Sequence, residues 1–198
     1  MTLTEEFRSA ARRERTLAVL ETDRLVLRAP RPDDAEALAR LIGDRRIAVN
    51  TARVPYPYSV TDANQFIAAV NRQGGEATFL ITLDGALIGG CGVAQSDGGP
   101  ELGYWISVPS WGQGFATEAA RAVIDHAFGD LGHEVLEAGA RVSNPASRRV
   151  LEKCGFQWTG VRLAKIRAIN SAAPADRFRL DRRLWESLKT LGCTRRRG

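Results

Sequence analysis

Cysteine and histidine are scarce in this chain of 198 residues: three cysteines, Cys91, Cys154 and Cys193, lie far apart, and there are only two histidines, His126 and His133. An odd, widely spaced cysteine set excludes a disulfide framework and a zinc site of paired cysteines, and two histidines argue against a His-rich metal centre. No metal is expected, and a reduced, cytoplasmic compartment fits best. Also missing is any apolar run near the roughly 18 residues that a bilayer-spanning helix needs, so no membrane role is expected. Residues 2–15 carry charge throughout and have no apolar stretch, which argues against a secretory signal. There is no internal repeat and no low-complexity segment.

What is present is ordinary for a soluble domain: 44% hydrophobic and 26% charged residues. Lys+Arg number 28 against 23 Asp+Glu, a formal charge of +5. The excess lies at the ends, in Arg8, Arg12, Arg13 and Arg15 and in Arg195, Arg196 and Arg197. Terminal charge blocks are usually solvated. An anionic partner can equally be a phosphorylated cofactor, and nucleic acid is not expected.

Periodicity divides the chain into a polar extension (1–20), one folded domain (21–188) and a basic tail (189–198). Leu25–Leu27 reads as a short strand ended by Pro30 and Pro32. Pro32-Asp33-Asp34 opens a helix carrying Leu38, Leu41 and Ile42 at helical spacing. Arg53–Ser59, broken by Pro55 and Pro57, must be irregular. Ser59 or Thr61 caps the next helix, with Phe66, Ile67 and Val70 as its apolar positions. Beyond Gly74-Gly75 the period changes to two. Thr78–Leu83 and Leu87–Val93 flank Asp84-Gly85, a hairpin signal, and Glu101–Val108 makes a third strand of the meander. A helix follows with Ala119, Val123, Ala127 and Phe128 on one face. Then come a strand (Val135–Val142), a short helix (Asn144–Cys154) and two closing strands, Phe156–Ile166 and Phe178–Leu184. The fold class is α/β (α+β): a single mixed, mostly antiparallel twisted sheet flanked by helices, with one parallel crossover.

That crossover passes through Val108-Pro109-Ser110-Trp111-Gly112-Gln113-Gly114-Phe115-Ala116-Thr117. A strand ends, the chain turns on two glycines, and a helix starts. Glycine allows unusual backbone angles and close ligand approach. The first helical amides have no intrahelical partner and sit at the positive end of the dipole, so the turn can hold a phosphate. It can equally be a plain strand-to-helix turn. A dinucleotide fingerprint needs a third glycine where Thr117 stands, with Glu134 or Glu137 as its acid. A P-loop needs Gly-Lys-Ser/Thr, which is absent. A coenzyme A cup is the third reading.

The runs Glu101-Leu102-Gly103-Tyr104-Trp105, Trp111-Gly112-Gln113-Gly114-Phe115-Ala116-Thr117-Glu118-Ala119, Asn144-Pro145-Ala146-Ser147 and Glu152-Lys153-Cys154-Gly155-Phe156 resemble the GNAT superfamily of N-acetyltransferases. Within it they resemble the branch of the ribosomal-protein acetyltransferases RimJ and RimL. The likeness covers residues 22–185. It implies the acyl-CoA N-acyltransferase fold, whose sheet splays between the strand ending at Val108 and the one starting near Val135. Acetyl-CoA would lie in that opening. Backbone groups of Ile106 and Val108 would pair with its pantetheine arm, and amides of Gly112, Gln113, Gly114, Phe115, Ala116 and Thr117 would hold its pyrophosphate. Gly114 and Ala116 match the last fixed positions of the family's Q/R-x-x-G-x-G/A motif, while Trp111 replaces its first.

Acetyl transfer from a thioester to an amine needs a neutral amine, yet lysine titrates near about 10.4 and an α-amine near about 8. It needs a donor for the oxyanion and a proton for the thiolate. Glu101 is the candidate base: alternation puts it on one face of the strand with Gly103, Trp105 and Ser107, unless it is merely a surface acid. The RimL branch has an acid where Thr159 stands here, and many family members have a tyrosine where Leu151 stands. The resemblance further implies that Asn144 bonds the pantetheine arm and that Ser147 lies near the sulfur, as a proton donor or as an ordinary helix serine. A backbone amide near Ile106, freed by a bulge, would serve the oxyanion. Cys91 and Cys154 occupy apolar patterns, so transfer is expected to be direct. In this fold Tyr56 and Tyr58 border the acceptor site and Trp105 lines its floor, or all three simply pack. The expected acceptor is a primary amine, of a small molecule or of a protein N-terminus. Two rivals stay open: a non-catalytic acyl-CoA sensor of the same fold, and a nucleotide-binding oxidoreductase. The oligomeric state is open as well, a homodimer included.

Overall fold

The computed structural model describes residues 18–72 and 77–195, with side chains to Leu191. The arginines of both terminal clusters, Cys193 and the Gly74-Gly75 break lie outside the residues whose side chains are described. Among the described residues, eight strands form one sheet in the order β1-β2-β3-β4-β5-β6-β8-β7. They are β1 (Leu20–Glu21), β2 (Val26–Arg28), β3 (Thr78–Leu83), β4 (Ala86–Ser96), β5 (Gly99–Ile106), β6 (Val135–Arg141), β7 (Gln157–Ile166) and β8 (Ser171–Asp181). Six α-helices among the described residues flank them: α1 (Ala35–Ile42), α2 (Arg45–Ala48), α3 (Val60–Arg72), α4 (Phe115–Gly129), α5 (Pro145–Lys153) and α6 (Arg182–Arg195).

The predicted hairpin turns at Asp84 and Gly85, both at positive φ (49° and 80°), as a two-residue loop requires. Ser59 caps α3: its hydroxyl accepts from the Asp62 N–H at 3.1 Å while the Asp62 carboxylate accepts from the Ser59 N–H at 2.8 Å. Apolar alternation then sorts the layers. Leu102, Ile106, Leu136, Phe178 and Leu180 bury one sheet face against Phe115, Ala119, Val123 and Phe128 of α4. Leu80 on the other face packs with Leu38, Ile42 and Ile67 of α1 and α3. Each large side chain so buried contributes roughly 1.5–3 kcal/mol.

Two expectations need correction. The sheet begins at Leu20, which pairs with Leu27, and Ala18 and Leu20 pack against the core. And the closing strand read at Phe178–Leu184 divides at Asp181. The strand occupies Ser171–Asp181; then the Asp181 carboxylate accepts the Leu184 N–H at 2.9 Å and starts α6. Trp185 of α6 stacks on Phe128 with ring centroids 5.2 Å apart. Pro174 sits inside β8 without breaking it. Its carbonyl accepts from Val142 N–H, one residue past the end of β6, so its missing N–H faces a strand that has already ended.

Candidate active site

The β5–β6 pairing is the sheet's one parallel contact and involves only Glu101↔Glu137 and Leu102↔Ala138, although β5 runs on to Ile106 and β6 to Arg141. The two strands therefore splay. On its other edge β5 stays in register with β4 through Gly89↔Ile106, and the Ser107 N–H bonds the Ile88 carbonyl at 2.7 Å. Antiparallel pairs exchange bonds at every second residue. The odd-numbered residues of β5 thus point their backbone groups to β4, and Tyr104 and Ile106 point theirs into the opening. The freed amide expected near Ile106 is there, but divergence of the strands frees it; the β4–β5 register has no bulge.

The open edge runs into the glycine turn. The strand stops at Ile106, and Val108–Ser110 forms a short 3-10 turn whose Val108 carbonyl accepts the Trp111 N–H at 3.2 Å. Trp111 also donates its indole N–H to the Ile106 carbonyl at 2.7 Å. A carbonyl oxygen has two lone pairs, so that of Ile106 keeps one. Gly112 and Gly114 are both at positive φ (77° and 86°), and a Cβ on Gly112 would meet nothing within 4 Å. Gly114 is the N-cap of α4 and supplies no side chain to its amides. Its carbonyl takes the N–H groups of Thr117 and Glu118, each at 3.1 Å. Thr117 is therefore committed to the first helical turn, and the amides of Gly112, Gln113, Gly114, Phe115 and Ala116 form the nest. Phe115 anchors it with a buried ring.

On the far side of the opening, Asn144 caps α5: its side-chain oxygen accepts the Ser147 N–H at 3.2 Å, which leaves its amide N–H groups as donors. Ser147 meets a residue that sequence reasoning passed over. The Tyr104 phenol oxygen lies 2.8 Å from the Ser147 hydroxyl and donates to the Ser147 carbonyl at 3.0 Å. Burial pushes the Tyr104 phenol up, so it stays protonated.

The α1/α3 face of β5 carries Glu101, Gly103 and Trp105. Glu101 accepts a hydrogen bond from Arg177 of β8 at 2.6 Å, above Gly139 of β6, where a Cβ would fall 2.8 Å from the guanidinium. Nothing lies within 4 Å of a Cβ on Gly103, so the sheet is bare between Glu101 and Trp105. Trp105 lies across Gly90, where a Cβ would fall 2.6 Å from its indole nitrogen, and packs toward α1 and α3. Tyr58 packs there too; burial and the Asp62 charge push its phenol up to about 12. Tyr56 stands exposed. The glycines Gly90, Gly103 and Gly139 were the missed signal for this floor.

Cys91 and Cys154 are buried free thiols, raised by burial, Cys154 to about 11. His126 is buried edge-on to Phe79, with Nδ1 2.7 Å from Asp130. Thr159 hydrogen-bonds the Arg177 carbonyl at 3.2 Å, and Leu151 is core. Of the two acids available to a dinucleotide fingerprint, Glu134 is bound to Arg182 at 3.0 Å. No cluster of three potential metal ligands exists among the described residues, and no described helix is long and apolar enough to cross a membrane.

Comparison with known proteins agrees with this fold. An uncharacterized N-acetyltransferase, p20 of Bacillus licheniformis, is 29% identical over 153 residues, covering 73% of this chain and 85% of that protein. The Mycobacterium smegmatis RimJ structure, in complex with CoA-disulfide, superposes with a TM-score of 0.75 over 90% of this chain and 96% of that one, at 20% identity. Spermidine N-acetyltransferase from Vibrio cholerae, in complex with CoA and spermine, gives 0.71 over 83% and 99%, also at 20%. Residues 24–157, more than half of the chain, match the acetyltransferase (GNAT) domain. The chain belongs to the GNAT acetyltransferase family.

Proposed function

We propose that the protein moves the acetyl group of acetyl-CoA directly onto a primary amine, of a small molecule or a protein N-terminus, within a ternary complex. One observation carries the donor half of this reading: the open edge at Tyr104 and Ile106 leads straight into the nest opening α4. An extended amide-bearing arm matches the edge, and a diphosphate matches the nest. A spermidine acetyltransferase shares the fold, which keeps polyamines beside protein N-termini as acceptors to test.

The chemistry follows from the two sides of β5. The amine loses a proton to Glu101, directly or through water, and its lone pair attacks the thioester carbon. The Ile106 N–H faces the developing oxyanion. As the carbon–sulfur bond breaks, the thiolate takes a proton from the Ser147 hydroxyl, which solvent restores as it carries off the proton held by Glu101, while Tyr104, its own proton on the Ser147 carbonyl, holds that hydroxyl in place. Two buried thiols with raised pKa values offer no nucleophile, which supports direct transfer. They also suit a reducing, cytoplasmic setting. The test is release of coenzyme A thiol from acetyl-CoA across a panel of polyamines, amino acids and peptides with free N-termini. Turnover with an amine supports the reading; coenzyme A binding without turnover on any of them identifies a sensor.

A further inference from the structure

The turn before β2 reaches the nest from 89 residues away in sequence. Arg24 donates from Nη1 to the Gln113 carbonyl at 3.0 Å and from Nε and Nη2 to Glu118 Oε2 at 2.8 and 2.6 Å. Its own backbone N–H reaches Glu118 Oε1 at 3.0 Å, as does the Thr22 hydroxyl at 2.7 Å. The guanidinium carbon lies 4.5 Å from the centroid of the Phe115 ring. All five donors of an arginine are fixed in one plane, so this set of partners holds the group in a single pose.

In a trans peptide the C=O and the following N–H point in opposite directions. The Gln113–Gly114 peptide is followed by a glycine at φ +86°, a residue that tolerates either hand and so imposes little resistance to a flip of that plane. A flip would turn the Gly114 N–H away and aim a carbonyl at an incoming anion. Arg24 grips this carbonyl. It also neutralises Glu118, an acid on the first turn of α4 that would otherwise repel a diphosphate.

We infer that Arg24 is a positioning residue: without touching the coenzyme, it locks the Gln113–Gly114 peptide so that the Gly114 N–H points into the diphosphate nest. This rests on the acetyl-CoA reading above. The test compares coenzyme A with pantetheine, which lacks the diphosphate, by titration NMR on the full chain. Arg24→Gln is expected to raise the Kd for coenzyme A about tenfold, the loss of one hydrogen bond to a charged group, and to leave that for pantetheine unchanged. Arg24→Lys, which keeps a positive charge beside Glu118 but loses the planar fork that spans Glu118 and the Gln113 carbonyl, is expected to give the same selective rise at smaller size, and it serves should Arg24→Gln fold poorly. An equal rise for both ligands, or no rise in either variant, overturns the inference. Wild-type protein that does not bind coenzyme A overturns the parent reading as well.

Discussion

The phenol oxygen of Tyr104 lies 2.8 Å from the hydroxyl of Ser147, which joins the open edge of β5 to the first turn of α5. The pair sits on the α4 side of the opening, and Glu101 sits on the other, so the acid and base tasks fall on opposite faces of one strand.

Tyr104→Phe keeps the ring in the core and removes only the oxygen. It is expected to lower kcat about tenfold or more, with the KM for acetyl-CoA unchanged, and Ser147→Ala to lower it further. Steady-state kinetics on both variants and on the double variant checks this. If Ser147 and Tyr104 act as one unit, the double variant is no slower than Ser147→Ala.

Glu101→Gln is expected to lower kcat about a hundredfold at neutral pH and to recover part of it as rising pH deprotonates the amine. Arg177→Met frees the carboxylate from the 2.6 Å contact that aims it, and is expected to reduce kcat in the same direction by less. A pH–rate profile of each variant is the measurement. Full activity of Glu101→Gln at pH 7 removes Glu101 as base.

Gly114→Asp places a negative side chain at the nest and an L-residue at φ +86°. Loss of coenzyme A affinity by about two orders of magnitude is expected. Gly114→Ala carries only the conformational cost, about 1 kcal/mol. Calorimetric titration alongside melting curves separates the two effects.

Asp34, at the start of α1, takes both Arg28 guanidinium nitrogens at 2.7 and 2.8 Å, and the Arg31 N–H at 2.7 Å. The Arg28 bonds, set against burial, hold its carboxyl below the usual range. A lowered folded-state pKa stabilises above the unfolded value and is lost as pH falls through the folded one. Asp34→Asn should therefore cost about 2 kcal/mol at pH 7. That gap should close as pH drops below about 3.9. Urea unfolding of both proteins across pH 2.5–7 checks it, about neutrality and acid extremes alike.

Local chemistry made much of this legible. Asp84-Gly85, Gly112 and Gly114, Ser59, and the Asn144-Pro145 start of α5 act through their own backbone, so their sequence neighbourhood suffices. What escaped depends on partners far along the chain. Glu101 with Arg177, Tyr104 with Ser147 and Arg24 with Glu118 are separated by 76, 43 and 94 residues. The end of β8 is not legible in the sequence because Phe178 and Leu180 alternate like a strand and nothing in that period announces that Asp181 caps a helix. That the Thr117 N–H turns back to the Gly114 carbonyl is a matter of local helix geometry that residue types do not announce.

The most direct test is thermal unfolding with acetyl-CoA, NAD or ATP, each present at increasing concentration. Acetyl-CoA at about 100 times its Kd should stabilise the fold by roughly 2.7 kcal/mol, with NAD and ATP well behind. Stabilisation by NAD with indifference to acetyl-CoA would contradict it.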